Sequence, residues 1–157
     1  MTSKASKWLN TSEMQAWRSY IVSSRRLFEA LESDLSEHGL TLPDYEMLVH
    51  LSEAPDRTMR MSDLAEKAMM SRSRLSHRIK AMEKAGWVKR QACASDKRGS
   101  FAVMTAKGWN TIKSAAPDHI ASVRERFIQH LSKKDQAAVA DVFGRIENEL
   151  RNEIIED

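Results

Sequence analysis

Apolar side chains near the start of the chain return every three or four residues: Met14, Trp17, Ile21, Phe28, Leu31 and Leu35. That period predicts a helix, with Ser12 as its cap, Gln15 reaching back to it, and Gly39 as its stop. Thr41 as N-cap, Asp44 at N3, and Leu40 set against Tyr45 as a hydrophobic staple announce a second helix over 42–53. Ala54-Pro55-Asp56 ends it, and Met59-Arg60-Met61 reads as a short extended segment. Ser62 then opens a compact helix from Asp63 to Ala68, with Leu64 and Ala65 inward. After a turn at Met69-Met70-Ser71 another helix runs from Arg72 to Ala85, stopped by Gly86. Two short helices three or four residues apart outline a helix-turn-helix.

The pattern changes at Trp87. Residues 87–92 and 101–104 suit two strands around the polar loop Cys93–Ser100, giving a β-hairpin with a basic tip. From Thr105 the helical period returns, with an interruption expected at Ala116-Pro117 and with Val123, Phe127 and Leu131 on one face. Ser132 and Asp135 cap a last helix carrying Val139, Val142, Phe143, Ile146 and Leu150, with an acidic outer side. The expected fold is mainly α with a small β-wing.

Charge adds information only when divided by position. The net charge of the 157 residues is +3. Between Ser71 and Arg98, nine bases face two acids, Glu83 and Asp96, so this window carries +7 and the remainder −4. Such a cluster is either a solvated helix face or the footprint of a polyanion-binding surface. A helical wheel helps to separate these. With Leu75 at the centre of the inward face, Ile79 and Met82 fall within about 40° of it, and Ser73, His77, Lys80 and Lys84 within about 40° of the opposite pole. A ridge of donors and cations on a docked helix suits the major groove of double-stranded DNA. Ser71, Arg72, Ser73, Arg74, His77, Arg78 and Lys80 are the expected DNA contacts. Small serines at the helix start allow close approach to phosphate. At the hairpin tip, Arg98 is placed for the narrow minor groove and Lys97 for the phosphates. Asp96 is either an ordinary turn residue or the partner that orients a nearby arginine.

Several classes are set aside. No apolar run exceeds four residues, so no membrane span is expected, and residues 1–12 lack the apolar segment of a signal peptide. The lone Cys93 excludes an intrachain disulfide and suggests a reducing, cytoplasmic setting. His38, His50, His77, His119 and His130 are scattered, with no zinc-protease, paired-cysteine or phosphate-loop motif. Catalysis, a metal and a cofactor are therefore not expected.

The stretch Met61-Ser62-Asp63-Leu64-Ala65, the helix ending Glu83-Lys84-Ala85-Gly86, then Asp96-x-Arg98 and Met104-Thr105-x-x-Gly108 resemble the MarR/SlyA family of bacterial transcription regulators. Arg90-Gln91-Ala92-Cys93-Ala94-Ser95-Asp96 is similar to the SlyA branch in particular. The resemblance covers residues 12–152. It implies a homodimer, triangular in outline, with a winged helix-turn-helix lobe at about 42–104 in each subunit and dimerisation helices at about 12–38 and 105–155. Apolar stripes on both terminal helices, more than one small lobe covers, independently favour the dimer; their packing on each other within one subunit is the alternative. Two-fold symmetry places half-sites of a pseudo-palindrome ~10 bp apart. Two positions depart from the family pattern. Ala102 replaces a larger aliphatic residue, and His77 stands where SlyA-like members carry arginine, which leaves base preference open.

The resemblance also implies release by a small aromatic or anionic effector between the dimer helices and the lobe. Trp17, Tyr20, Arg25 and Tyr45 are the candidates, each also readable as core or surface. A rival switch is a Cys93 thiolate beside Lys89, Arg90 and Lys97, against the reading of Cys93 as a small inward residue at a strand end. A third reading is a helical dimer that binds a partner without DNA; the intact basic helix and wing argue against it.

Overall fold

A computed structural model describes residues 8–92 and 99–155, with side chains through Arg151. Helix α1 spans Thr11–Ser36. Its cap is Asn10 rather than the expected Ser12. The Asn10 Oδ1 accepts from the Glu13 amide at 3.0 Å, and the Glu13 carboxylate accepts from the Asn10 amide at 2.7 Å. A reciprocal pair satisfies two orphan donors at once and so moves the start forward. After α1 the chain turns through Gly39, at φ +72°, and the Leu40 amide closes on the Leu35 carbonyl at 3.1 Å.

Helix α2 (Leu42–Glu53) has the expected Thr41–Asp44 capping box, with Leu40 and Tyr45 both buried beside it. A 3₁₀ turn, Pro55–Arg57, then reverses the chain with Asp56 and Arg57 both at positive φ. The Arg57 guanidinium stacks 3.9 Å from the Trp109 ring centroid, a cation–π contact that offsets part of this backbone cost. Strand β1 (Thr58–Arg60) leads into helix α3 (Met61–Lys67). Ser62 does not cap α3. Arg60 holds the N-cap position without a side-chain bond, and the Ser62 hydroxyl donates to Asp63 inside the first turn. Leu64 and Ala65 face inward as expected.

Helix α4 (Arg72–Ala85) starts at Ser71, whose hydroxyl accepts from the Arg74 amide, and stops at Gly86, φ +80°. Strands β2 (Val88–Ala92) and β3 (Ser100–Met104) pair antiparallel, Arg90 opposite Ala102. The wing is more than a hairpin. Strand β1 joins the other side of β3, Met59 opposite Ala102, giving the order β1-β3-β2. Ala102 thus sits in the central strand, fully buried.

Helix α5 (Ala106–Arg126) passes through Pro117 without a break, against the expected interruption. A proline inside a helix costs ~3 kcal/mol, but Ile112 and Ala115 are buried just ahead of it and hold the helix in place. Nor do Val123, Phe127 and Leu131 share a helix face: Phe127 leaves the helix, a 3₁₀ turn (Ile128–His130) follows, and Leu131 is extended. Helix α6 (Lys133–Ile155) begins with the expected Ser132–Asp135 cap.

The chain forms two compact units, one ending at His119 and the other starting at Ile120. The core lies in the first. Leu35, Met47, Leu48, Leu51, Leu64, Leu75, Ile79 and Met82 close it, bringing α1 to α4 around one apolar centre. The expected class, mainly α with a small β-wing, holds. Among the described residues no helix is long and apolar enough to cross a membrane.

Candidate nucleic-acid interface

Helix α4 divides along its axis. Leu75, Ile79 and Met82 are buried, while Arg72, Ser73, Arg74, His77, Lys80 and Lys84 are exposed. The burial of one stripe fixes which side chains face outward, so the basic ridge follows from the apolar period. At the start of α4 the first backbone amides, an exposed Ser73 and two arginines share one end, which suits an anion. The Ser71 oxygen is engaged as the cap acceptor, which leaves its hydroxyl proton to donate outward.

The wing is fastened to this helix by groups that periodicity did not single out. The Arg90 guanidinium donates to the Ser76 carbonyl at 2.7 Å and pairs with Glu83 at 3.3 Å, and Glu83 also accepts from the Arg90 amide at 3.0 Å. The available signal was charge: Glu83 is one of only two acids in the basic window. Arg60, Ser62, Arg72, Ser76, Arg90 and Ser100 line an open cleft of about 440 Å³ at the root of the wing. Arg60 and Arg72 bring positive charge to this lining, while the Arg90 guanidinium is already paired with Glu83.

Thr105 and Gly108 explain their own spacing. The Thr105 hydroxyl donates to the Gly86 carbonyl at 2.6 Å and accepts from the Gly108 amide at 3.0 Å. A Cβ at Gly108 would lie 2.2 Å from the Trp87 carbonyl oxygen, so only glycine lets α5 come this close to the end of α4. The motif therefore locks the stop of α4 to the start of α5.

Other expected residues are dispersed. Trp17 and Tyr20 are exposed neighbours on α1, their ring centroids 6.2 Å apart, and Arg25 is exposed further along the same helix. Tyr45 is buried instead, 4.3 Å from the His119 ring, and burial pushes its hydroxyl pKa up. The four ligand candidates thus occupy two different environments. His119 is the group sequence reasoning missed here. Its Nδ1 is buried without a hydrogen-bond partner among the described residues. Desolvation lowers its pKa, opposed by the charge of Asp34. Cys93, Asp96, Lys97 and Arg98 lie outside the described residues.

Paired short helices with a one-sided basic second helix, joined to a three-stranded wing whose first strand precedes them, define a winged helix-turn-helix module. The sequence profile of the MarR family matches residues 38–99. The chain superposes on AbsC, a MarR family transcriptional regulator from Streptomyces coelicolor, with a TM-score of 0.92 and 46% identity, covering 94% of this chain and 99% of that one. Sco3205, a MarR family regulator from the same organism solved in complex with DNA, matches at 0.90 with 37% identity, over 92% of each chain. The transcriptional regulator HosA of Escherichia coli is 32% identical over 97 residues, 62% of this chain and 70% of HosA. The chain belongs to the MarR family of transcriptional regulators.

Proposed function

We propose that this regulator binds a pseudo-palindromic double-stranded operator as a homodimer, represses from it, and is released by a small aromatic or anionic effector. The observation that carries the DNA reading is the division of α4 into a buried apolar stripe and an exposed basic ridge. Ser71, Arg72, Ser73, Arg74, His77 and Lys80 are the contacts it offers to the major groove and flanking phosphates. Arg98 is assigned to the minor groove and Lys97 to the phosphates, with Asp96 as the carboxylate that orients a nearby arginine. The relative Sco3205, solved with DNA, supports the same reading.

The domain layout assigned is a binding lobe at 42–104 and dimerisation helices at 12–38 and 105–155. Trp17, Val22 and Phe28 on α1, and separately Val142, Phe143, Ile146 and Leu150 on α6, are 40–54% exposed, the kind of apolar surface that marks an association site. A second copy of the chain covers it in this reading. An effector that favours a lobe spacing unsuited to the operator would release the DNA; Trp17, Tyr20, Arg25 and Tyr45 are the residues offered for it.

Selection of bound duplexes from a random-sequence pool tests the function directly. A recovered pseudo-palindrome with half-sites ~10 bp apart is the expected result. Binding to it should fall ~10³–10⁵-fold between 50 and 200 mM salt. No enriched sequence and a flat salt response would remove the DNA reading. Aromatic carboxylates that neither raise the thermal midpoint nor weaken binding would remove the effector.

A further inference from the structure

Arg78 differs from every other cation on α4. Its guanidinium reaches back to the first turn of α2, donating from one nitrogen to the Thr41 hydroxyl at 3.1 Å and to the Asp44 carboxylate at 3.3 Å. Asp44 is a buried charge, with 10% of its side chain accessible against 34% for Arg78. The same carboxylate accepts from the Thr41 hydroxyl at 2.6 Å and from the Thr41 amide at 3.2 Å. From the far side, the Glu32 carboxylate of α1 accepts from the Leu42 amide at 2.6 Å. Residues 41–44 are therefore gripped from α1 on one side and from α4 on the other.

We infer that Arg78 is a positioning residue, which fixes the rotation of α4 against α2 through Asp44 and Thr41 instead of contacting DNA itself. The inference rests on the DNA-binding reading above. Two physical points carry it. First, a half-buried ion pair returns little net stability, because the cost of desolvating Asp44 and the screening at the part-exposed Arg78 offset most of their attraction; such pairs serve best to fix one geometry among several. Second, an apolar stripe of Leu75, Ile79 and Met82 tolerates small rotations of α4, since packing contacts are not directional. A charge-assisted hydrogen bond is directional and removes that freedom. A rotation of one residue step, 100°, would carry His77 and Lys80 off the outward pole; far smaller errors spoil base contacts while leaving phosphate contacts usable.

The test uses full-length protein, the duplex selected by the wild type and a non-specific duplex of equal length. Asp44→Asn makes the protein more positive, so electrostatics alone would tighten DNA binding, whereas loss of positioning weakens it. The expected result is about tenfold weaker binding to the selected duplex, the scale of one charged hydrogen bond, with non-specific affinity no weaker than that of the wild type. Arg78→Gln should match it and leave the slope of log K against log[salt] at the wild-type value. The double variant should be no weaker than either single variant. Asp44→Asn binding as tightly as wild type, or a slope reduced by about one in Arg78→Gln, would identify Arg78 as a phosphate contact and overturn the inference. If Asp44→Asn does not fold, Arg78→Gln decides alone by its slope and its ratio of specific to non-specific affinity. A wild type that selects no duplex would instead fail the DNA reading and is distinguishable from these outcomes.

Discussion

Helices α4 and α6 carry the same kind of apolar stripe, yet the two stripes meet different fates. On α4, Leu75, Ile79 and Met82 are at most 1% exposed; on α6, Val142, Phe143, Ile146 and Leu150 are 40–53% exposed. Periodicity tells which face of a helix is apolar but not whose surface covers it. For α4 the cover is α1, α2, α3 and the wing, all within one core. On α6, Val142, Ile146 and Leu150 instead stay 41–53% exposed. A covered stripe turns its helix into a rigid presenter of the opposite face, while an open stripe makes the helix an adhesive surface.

Charging the open stripe should break the comparison most severely. Phe143→Glu with Ile146→Glu places two carboxylates where a second copy would bury apolar surface. The expected outcome in analytical ultracentrifugation is a monomer at micromolar concentration. Operator affinity should fall toward the non-specific level, ~10³-fold or more, because one lobe reads only a half-site. An unchanged sedimentation coefficient would show that α6 does not join the subunits.

The closed stripe should respond in stability instead. Leu75→Ala removes a buried side chain from the core and should cost ~2–5 kcal/mol in urea unfolding. A midpoint equal to wild type would mean that α4 is not held by this stripe. Smaller still is the effect of editing the face that the stripe presents. His77→Ala is expected to relax preference at one base pair by ~1–3 kcal/mol without changing the unfolding midpoint. Equal discrimination in both proteins would remove His77 from the reading surface.

The sequence was most readable where one local rule decided the outcome. Thr41 and Asp44, Gly86, and Ser132 with Asp135 all mark helix ends as expected, because capping needs only neighbouring residues. Misreadings came where competing or distant partners decided. Asn10 with Glu13 displaced Ser12. Pro117 was tolerated because Ile112 and Ala115 anchor its helix, a tertiary gain that local propensity omits. The outward side of α4 was legible from its period. The Arg78–Asp44 and Arg90–Glu83 pairs were not, since they join residues 34 and seven positions apart on different elements.

His119 supplies the remaining combination, a polar atom under cover. Its ring lies 4.3 Å from Tyr45, with Nδ1 buried and unpartnered among the described residues. Desolvation disfavours the imidazolium and outweighs the pull of Asp34, so the folded-state pKa lies below the ordinary ~6.5. An unfolded chain then binds a proton at His119 before the folded one does. Its contribution to stability is complete above pH ~6.5 and is lost as pH falls through the lowered folded pKa. His119→Phe keeps a ring against Tyr45 and removes the titration. The urea midpoint of the wild type should therefore drop more between pH 7.5 and 5.5 than that of the variant. Asp34→Asn removes the charge that favours the imidazolium, lowers the His119 pKa further and should steepen the wild-type slope. Parallel slopes in all three proteins would show that His119 titrates alike folded and unfolded. The contrast with α6 would then sharpen: in the proposed dimer an exposed apolar stripe serves assembly, while this covered nitrogen would cost the fold nothing that pH can reveal.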